Sequence, residues 1–386
     1  MIPNTRFLSL IGLIMVLSAG STRQSNAETI RIATYNASLY GKHAGEIRKR
    51  LEAGNDKQAQ KVAAIVQTIR PDVLLINEID YDEGGVTAKL LASHYFAKPQ
   101  GERGTIDYPY VYAAPSNTGV DSHLDLNAND RLNEPNDAFG FGVYPGQYSM
   151  AVFSRFPILT DQLRTFQMFL WKDLPNAQRP RDPRTKQFYY ADETWEALRL
   201  SSKNHIDVPI RLNDLTIHVL ASHPTPPVFD GPEDRNGCRN HDEIAFWQYY
   251  IDEDVAKVLV DDSGKVGGLS AGESFVIMGD LNTDPADGDS RRDAIRNLME
   301  HPRTVDPKPA SEGAAEAAKR RKAGDGDPRY DTAKFRGGNM RVDYVLPSQT
   351  FKLTNAGVYW PKSSDEGYSL ISASDHRMVW IEVEVP

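Results

Sequence analysis

Short apolar runs alternate along the chain with turn-rich and helix-patterned stretches. Residues 30–35 (Ile-Arg-Ile-Ala-Thr-Tyr) alternate with period two and predict a half-buried strand. From Lys57 to Ile69, apolar Val62, Ile65, Val66 and Ile69 recur at helical spacing. Pro71 then stops the helix, because proline lacks the N–H and clashes with the preceding turn. Residues 73–76 are a continuous apolar run, the pattern of a strand buried on both faces. Similar strands are expected at 150–153, 207–212, 215–220, 275–278, 341–346 and 378–383, with helices near 242–259 and 291–298. Strands dominate and helices lie between several of them, which predicts two packed sheets with helices outside. Three stretches read as inserts. Residues 83–145 are turn-rich, 171–204 are charged, aromatic and proline-containing, and 310–338 are poor in hydrophobics and read as a mobile surface loop.

Composition changes this picture in three places. The first residues carry Arg6, a nearly all-apolar run over 8–17, and small residues at 25–27. The run is too short to span a bilayer, so 1–27 reads as a secretory signal and 28–386 as one domain, secreted or periplasmic, with no stable membrane insertion. Cys238 is the only cysteine, so no intramolecular disulfide forms and stability rests on an ordinary core; a catalytic thiol is not expected. The formal charge is −9, and becomes −11 without 1–27, which hold Arg6 and Arg23 and no acid. An acidic chain is poorly suited to gripping long nucleic acid through its phosphates. A small phosphoester substrate, or a metal held by carboxylates, fits better, with nucleic acid kept as the alternative. No protein partner is evident.

The strands also end in chemistry. Asn36 follows the first, where asparagine is also a common turn former. Glu78 ends 73–76, and an acid there must be solvated, paired or bound to a metal. Hard oxygen ligands suit Mg²⁺, which keeps waters for a phosphate substrate. His223 follows 215–220. Asp280 and Asn282 follow 275–278, two apart, so in extended geometry they point the same way. Asp343 sits inside a strand, and Asp375-His376 precede the last one. Arg235 and Arg239 could grip a phosphate or pair with Glu233, Asp234 or Asp242. Lys203 and His205 could face the cleft. Trp171, Tyr189, Tyr190 and Trp195 could wall a pocket or pack their own insert. Residues 125–130 alternate oxygen ligands as a Ca²⁺ loop does, but lack glycine at the sixth position and an acid at the twelfth, where Asn136 stands; a polar surface loop is the competing reading.

Thr34-Tyr35-Asn36, Asn77-Glu78, Ser222-His223, Gly279-Asp280-Leu281-Asn282, Val342-Asp343-Tyr344 and Ser374-Asp375-His376 together resemble, in order, the motifs of the endonuclease/exonuclease/phosphatase superfamily, the deoxyribonuclease-I-like fold. The resemblance spans the chain from Thr34 to its end. It implies an α/β four-layer sandwich of two mixed sheets flanked by helices, and divalent-metal-dependent hydrolysis of phosphoesters with Mg²⁺ or Mn²⁺. It implies metal ligation by Glu78, with Asn36 and Asp375 assisting, and His376 as general base oriented by Asp343. Asp280 and Asn282 would orient nucleophile and phosphate, and His223 would contact the phosphate. Alternatives are a secreted nuclease, a lipid-directed phosphodiesterase, which would need an exposed apolar hairpin that the sequence does not display, and a non-catalytic binding module on the same fold.

Overall fold

The computed structural model describes residues 28–320 and 324–385; the expected signal at 1–27 lies outside them. In chain order the main elements are β1 (Glu28–Leu39), α1 (Glu46–Glu52), α2 (Lys57–Ile69), β2 (Val73–Ile79), α3 (Val86–Leu91), β3 (Tyr110–Ala113), β4 (Ser149–Ser154), β5 (Arg164–Thr165), α4 (Asp192–Ala197), β6 (His205–Leu212), β7 (Leu215–Ser222), α5 (Arg235–Ile251), β8 (Ser274–Asp280), α6 (Asp293–Met299), α7 (Glu312–Ala318), β9 (Ala333–Lys334), β10 (Asn339–Met340), β11 (Asp343–Pro347), β12 (Lys352–Val358) and β13 (Val379–Val385).

The strands form a six-stranded sheet of order β12-β13-β1-β2-β4-β3, a five-stranded sheet of order β11-β8-β7-β6-β5, and the small β9–β10 hairpin. Within the large sheets, β1–β2 and β7–β8 are parallel and every other pairing is antiparallel. Strand alternation makes the layers. Ile30, Ile32, Val73, Leu75, Val219, Ala221, Val276 and Met278 point into one apolar cluster between the sheets. Their neighbours Ala33, Tyr35, Leu74 and Ile76 face outward, into a second cluster with residues of α1, α2 and α3. On the other sheet, Leu220, Phe275 and Ile277 pack outward against α5 and α6. The parallel strands are thus apolar on both faces because each face meets a different layer.

Helix α2 keeps its expected bounds for identifiable reasons. Asp56 caps it by accepting the Ala59 N–H at 2.9 Å, a bond typically worth about 1 kcal/mol. Arg70 then turns left-handed just before Pro71. Elsewhere the expectations shift. α5 starts at Arg235 rather than Asp242 and ends at Ile251. β12 was not foreseen, because its Lys-Leu-Thr-Asn-Ala-Gly-Val sequence is that of a half-exposed edge strand. The 83–145 insert supplies α3 and β3. Among the described residues of the 310–338 stretch, α7 is capped by Ser311, and β9 bridges to His376 itself. Among the described residues no helix is long and apolar enough to cross a membrane.

Candidate active site

Topology brings the motif residues together. The C-terminal ends of the parallel strands β1, β2, β7 and β8 lie at one edge of the sandwich. The antiparallel strands β11 and β13 begin at that same edge. Asn36 therefore sits in register with Asn77, and Asp343 with Asp280. Ser374 Oγ ties the Asp375-His376 turn to β1 by donating to the Asn36 carbonyl at 2.7 Å, and it accepts the His376 N–H at 3.0 Å. Gly279 permits the two central strands to approach: a Cβ there would lie 2.0 Å from the Ser222 carbonyl oxygen. Glu78 occupies an irregularity in the β1–β2 register with φ of 56°. A left-handed conformation costs a non-glycine residue about 1–2 kcal/mol, and Ser38 and Asn282 share it. Such strain collects where a side chain has to be aimed against local preference.

The centre is a line of buried polar groups. Asp343 Oδ2 accepts from His376 Nδ1 at 2.9 Å and from Thr332 Oγ1 at 2.8 Å. His376 Nε2 faces Asp280 Oδ2 at 3.6 Å, and His223 Nε2 faces the same oxygen at 3.4 Å. Asn36 Nδ2 donates to that oxygen at 3.0 Å, and the Asn282 N–H donates to Asp280 Oδ1 at 3.0 Å. Burial opposes protonation of His376, but the Asp343 and Asp280 carboxylates outweigh it and push the imidazole up to about 10. Burial pushes the Asp280 carboxyl up to about 7 despite the His376 charge. Burial, then the Lys203 charge, hold His223 well below the usual histidine range, so its imidazole is neutral. The Nδ1 of His223 and the Oδ1 of Asp343 are buried without a hydrogen-bond partner among the described residues.

The other expected residues are placed as follows. Asn36 Nδ2 donates to Asp280, and its oxygen accepts the Ser38 N–H at 3.2 Å. Asn282 does not continue the strand beside Asp280. Its left-handed backbone swings the amide to the Pro224 carbonyl at 3.0 Å, fixing the loop after His223. Asp375 stays exposed at the rim, 3.4 Å from Ser38 Oγ. Lys203 is buried beside Glu243, Glu78 and Asp280; burial lowers its pKa against their attraction. Its ammonium makes no hydrogen bond or ion pair among the described residues. His205 faces away from the cleft: Ser201 Oγ meets its Nδ1 at 2.5 Å and the Glu243 carbonyl its Nε2 at 2.7 Å. Arg239 spends its guanidinium on the carbonyls of Leu200, Phe139 and Arg199, and Arg235 pairs with Glu233. Trp171, Tyr190 and Trp195 are core residues of their insert, with Tyr189 packed against them, because the insert covers the outer face of the second sheet. In the 125–130 segment Asp125 accepts the N–H groups of Asn129 and Asp130. Cys238 is free and buried, and burial pushes its thiol up to about 12.

Some site residues escaped the sequence reading. Thr332 buttresses Asp343 and accepts the N–H groups of Val342 and Asp343. Phe335, at the β9–β10 turn, packs edge-on to the His376 ring at 5.3 Å. Both lie in the stretch whose low hydrophobicity suggested a loop. Tyr40 and Tyr148 stack edge-to-face at 4.5 Å beside Glu78. The spacing of Tyr40, four residues after Asn36, was the available signal.

The acids fit a hard divalent cation. Glu78, His223 and Asp280 each offer a ligand atom, all within 4.8 Å of one another. Burial raises the Glu78 carboxyl, partly offset by the His376 charge and the Asn36 amide. Two crowded, dehydrated carboxylates whose protonation is favoured in this way are stabilised by a counter-cation.

A family model described as Endonuclease/Exonuclease/phosphatase family matches residues 33–376. Among solved structures the chain is similar to an endonuclease/exonuclease/phosphatase from Beutenbergia cavernae DSM 12333, at 16% identity over 92% of this chain and 72% of that one, with a TM-score of 0.50. It is also similar to an endonuclease/exonuclease/phosphatase family protein from Leptotrichia buccalis C-1013-b, at 15% identity over 92% and 100% of the two chains, TM-score 0.48. A third similar structure is sphingomyelinase C from Streptomyces griseocarneus, at 13% identity over 92% and 99%, TM-score 0.43. At such identities the first likeness bears on the fold alone. No curated protein matches the chain.

Proposed function

The chain belongs to the endonuclease/exonuclease/phosphatase family, and from that premise we propose that it is a divalent-metal-dependent hydrolase of small phosphomonoesters or phosphodiesters. The observation that carries the reading is the buried line from Asp343 through His376 and Asp280 to His223. Glu78, with Asp280 beside it, would hold Mg²⁺ or Mn²⁺, which when bound supplies positive charge against the phosphate oxygens. Asp343 occupies Nδ1 of His376, so Nε2 is the working atom. A water placed between the phosphorus and Nε2 gives its proton to the His376–Asp280 pair as its oxygen attacks. The expectation of His376 as sole base becomes a shared acceptor, because two groups this close titrate as a unit. Asp343 and Asp280 hold His376 as the imidazolium before the water reacts, so the arriving proton settles on the Asp280 carboxylate. Neutral His223 would turn its single N–H to a phosphate or leaving-group oxygen, and the Lys203 ammonium would neutralise charge there.

The acidic balance favours a compact substrate over a polyanion. The apolar run at 8–17 supports secretion or periplasmic export, with 28–386 acting as one domain. The test is His376→Ala. Breaking the proton-accepting pair costs about 10²–10⁴-fold, so kcat falls by at least ~10²-fold in protein shown by circular dichroism to be folded at the assay temperature. Near-normal turnover by the folded variant contradicts the assignment.

A further inference from the structure

The loop after His223 carries an unusual feature. Phe229 is 87% exposed, the highest value among the large hydrophobic side chains described, and its φ is 68°. A bulky residue rarely adopts that conformation, and an exposed ring gains nothing for the fold by doing so.

The loop is nevertheless firmly held. At its root, Asn282 Nδ2 donates to the Pro224 carbonyl at 3.0 Å, and Glu243 Oε2 accepts the Thr225 N–H at 2.6 Å. At its tip, Asn236 Nδ2 donates to the Val228 carbonyl at 2.6 Å and Asp230 Oδ2 accepts the Asn236 N–H at 2.7 Å. Glu243 also accepts the Ser202 N–H through Oε1 at 2.6 Å, so the root of this loop and the segment carrying Lys203 share one carboxylate. Phe229 is four residues from Thr225, within about 14 Å of chain. A second exposed ring, Phe141, lies on the insert that borders the same place, since Gly140 abuts the Ser202 carbonyl. Bonds at root and tip thus hold a strained backbone and an exposed ring on the loop that leaves the site directly after His223.

We propose that Phe229 is a specificity-determining residue that stacks on a planar ring of the substrate, and that the substrate class is the nucleoside phosphate. The inference rests on the phosphoesterase reading of the site. A bare sugar phosphate or inorganic phosphate has no planar face for this ring. A bilayer is disfavoured by the acidic run directly after Phe229, Asp230-Gly231-Pro232-Glu233-Asp234, which would bring carboxylates against the lipid. The same acids disfavour a long polyanionic strand. A mononucleotide places its one phosphate at Lys203 and His223 and leaves its base for the ring.

The test compares adenosine 5′-monophosphate with ribose 5-phosphate, which share the phosphoester and differ by the base. Dissociation constants are measured calorimetrically on the full chain with Mg²⁺ or Mn²⁺. Base–aromatic stacking predicts that wild type binds the nucleotide at least ~10-fold more tightly. Phe229→Ala brings the two affinities within ~3-fold, and Phe229→Tyr retains the preference. Equal affinities in wild type, no measurable nucleotide binding, or a preference unchanged in Phe229→Ala overturn the proposal. So does Phe229-dependent sedimentation with phosphatidylcholine vesicles in the absence of a nucleotide preference, which assigns the ring to a lipid surface. These readouts are binding constants. Turnover on the same preparations separately reports whether the catalytic reading holds.

Discussion

At the scale of single residues, the central device is the chain of acceptors behind His376. Asp343 can fix the imidazole only while its own carboxylate is held, and Thr332 holds it through Oδ2. Thr332→Val keeps the shape and removes the donor. A hydrogen bond to a charged group is worth about 1.5–3 kcal/mol, so kcat/KM is expected to fall by at least ~10-fold with the pH–rate profile displaced, and Thr332→Ser to recover most of it. An unchanged profile in Thr332→Val would show that the threonine has no part in positioning the base. Its omission from the sequence reading has a physical reason. Glu78, His223 and Asp280 could be read because each acid or imidazole ends an apolar strand, where an unpaired polar group demands explanation. Thr332 lies in a stretch without apolar periodicity, and its role depends on pairing with residues about ten and forty positions away.

At the scale of elements, the strands were legible and several connections were not. Runs such as 73–76 and 275–278 announce strands covered on both faces, and the parallel pairs β1–β2 and β7–β8 follow that pattern. The start of α5 was placed late because 235–241 are mostly polar. Tertiary contacts extend the helix backwards: Arg239 bonds three carbonyls and Asn240 bonds those of Thr225 and Leu281. His205 shows how a strand start can resemble a site residue. Enclosed at the head of β6, it is pushed down to about 4 by burial. The unfolded chain binds that proton near pH 6.5 and the folded chain does not until about pH 4. Stability is therefore fully present above pH about 6.5 and is lost as pH falls towards 4. Thermal midpoints recorded from pH 7 to 4 should fall more steeply for wild type than for His205→Gln. Parallel slopes would show that the buried imidazole is not the titrating group.

At the scale of the molecule, two sheets meet so that the outgoing ends of four parallel strands and the incoming ends of two antiparallel ones share an edge. Acids at those ends are forced together, and among the described residues no lysine or arginine forms an ion pair with Glu78. In the proposed mechanism a divalent cation answers that charge during phosphoester hydrolysis. The most direct test is hydrolysis of bis-p-nitrophenyl phosphate and p-nitrophenyl phosphate by metal-stripped protein, before and after titration with Mg²⁺ or Mn²⁺, in wild type and Glu78→Gln. The predicted result is no turnover without metal, saturable recovery in wild type, and recovery reduced by at least ~10²-fold in Glu78→Gln. Full activity in the stripped protein, or equal recovery in both, would contradict it.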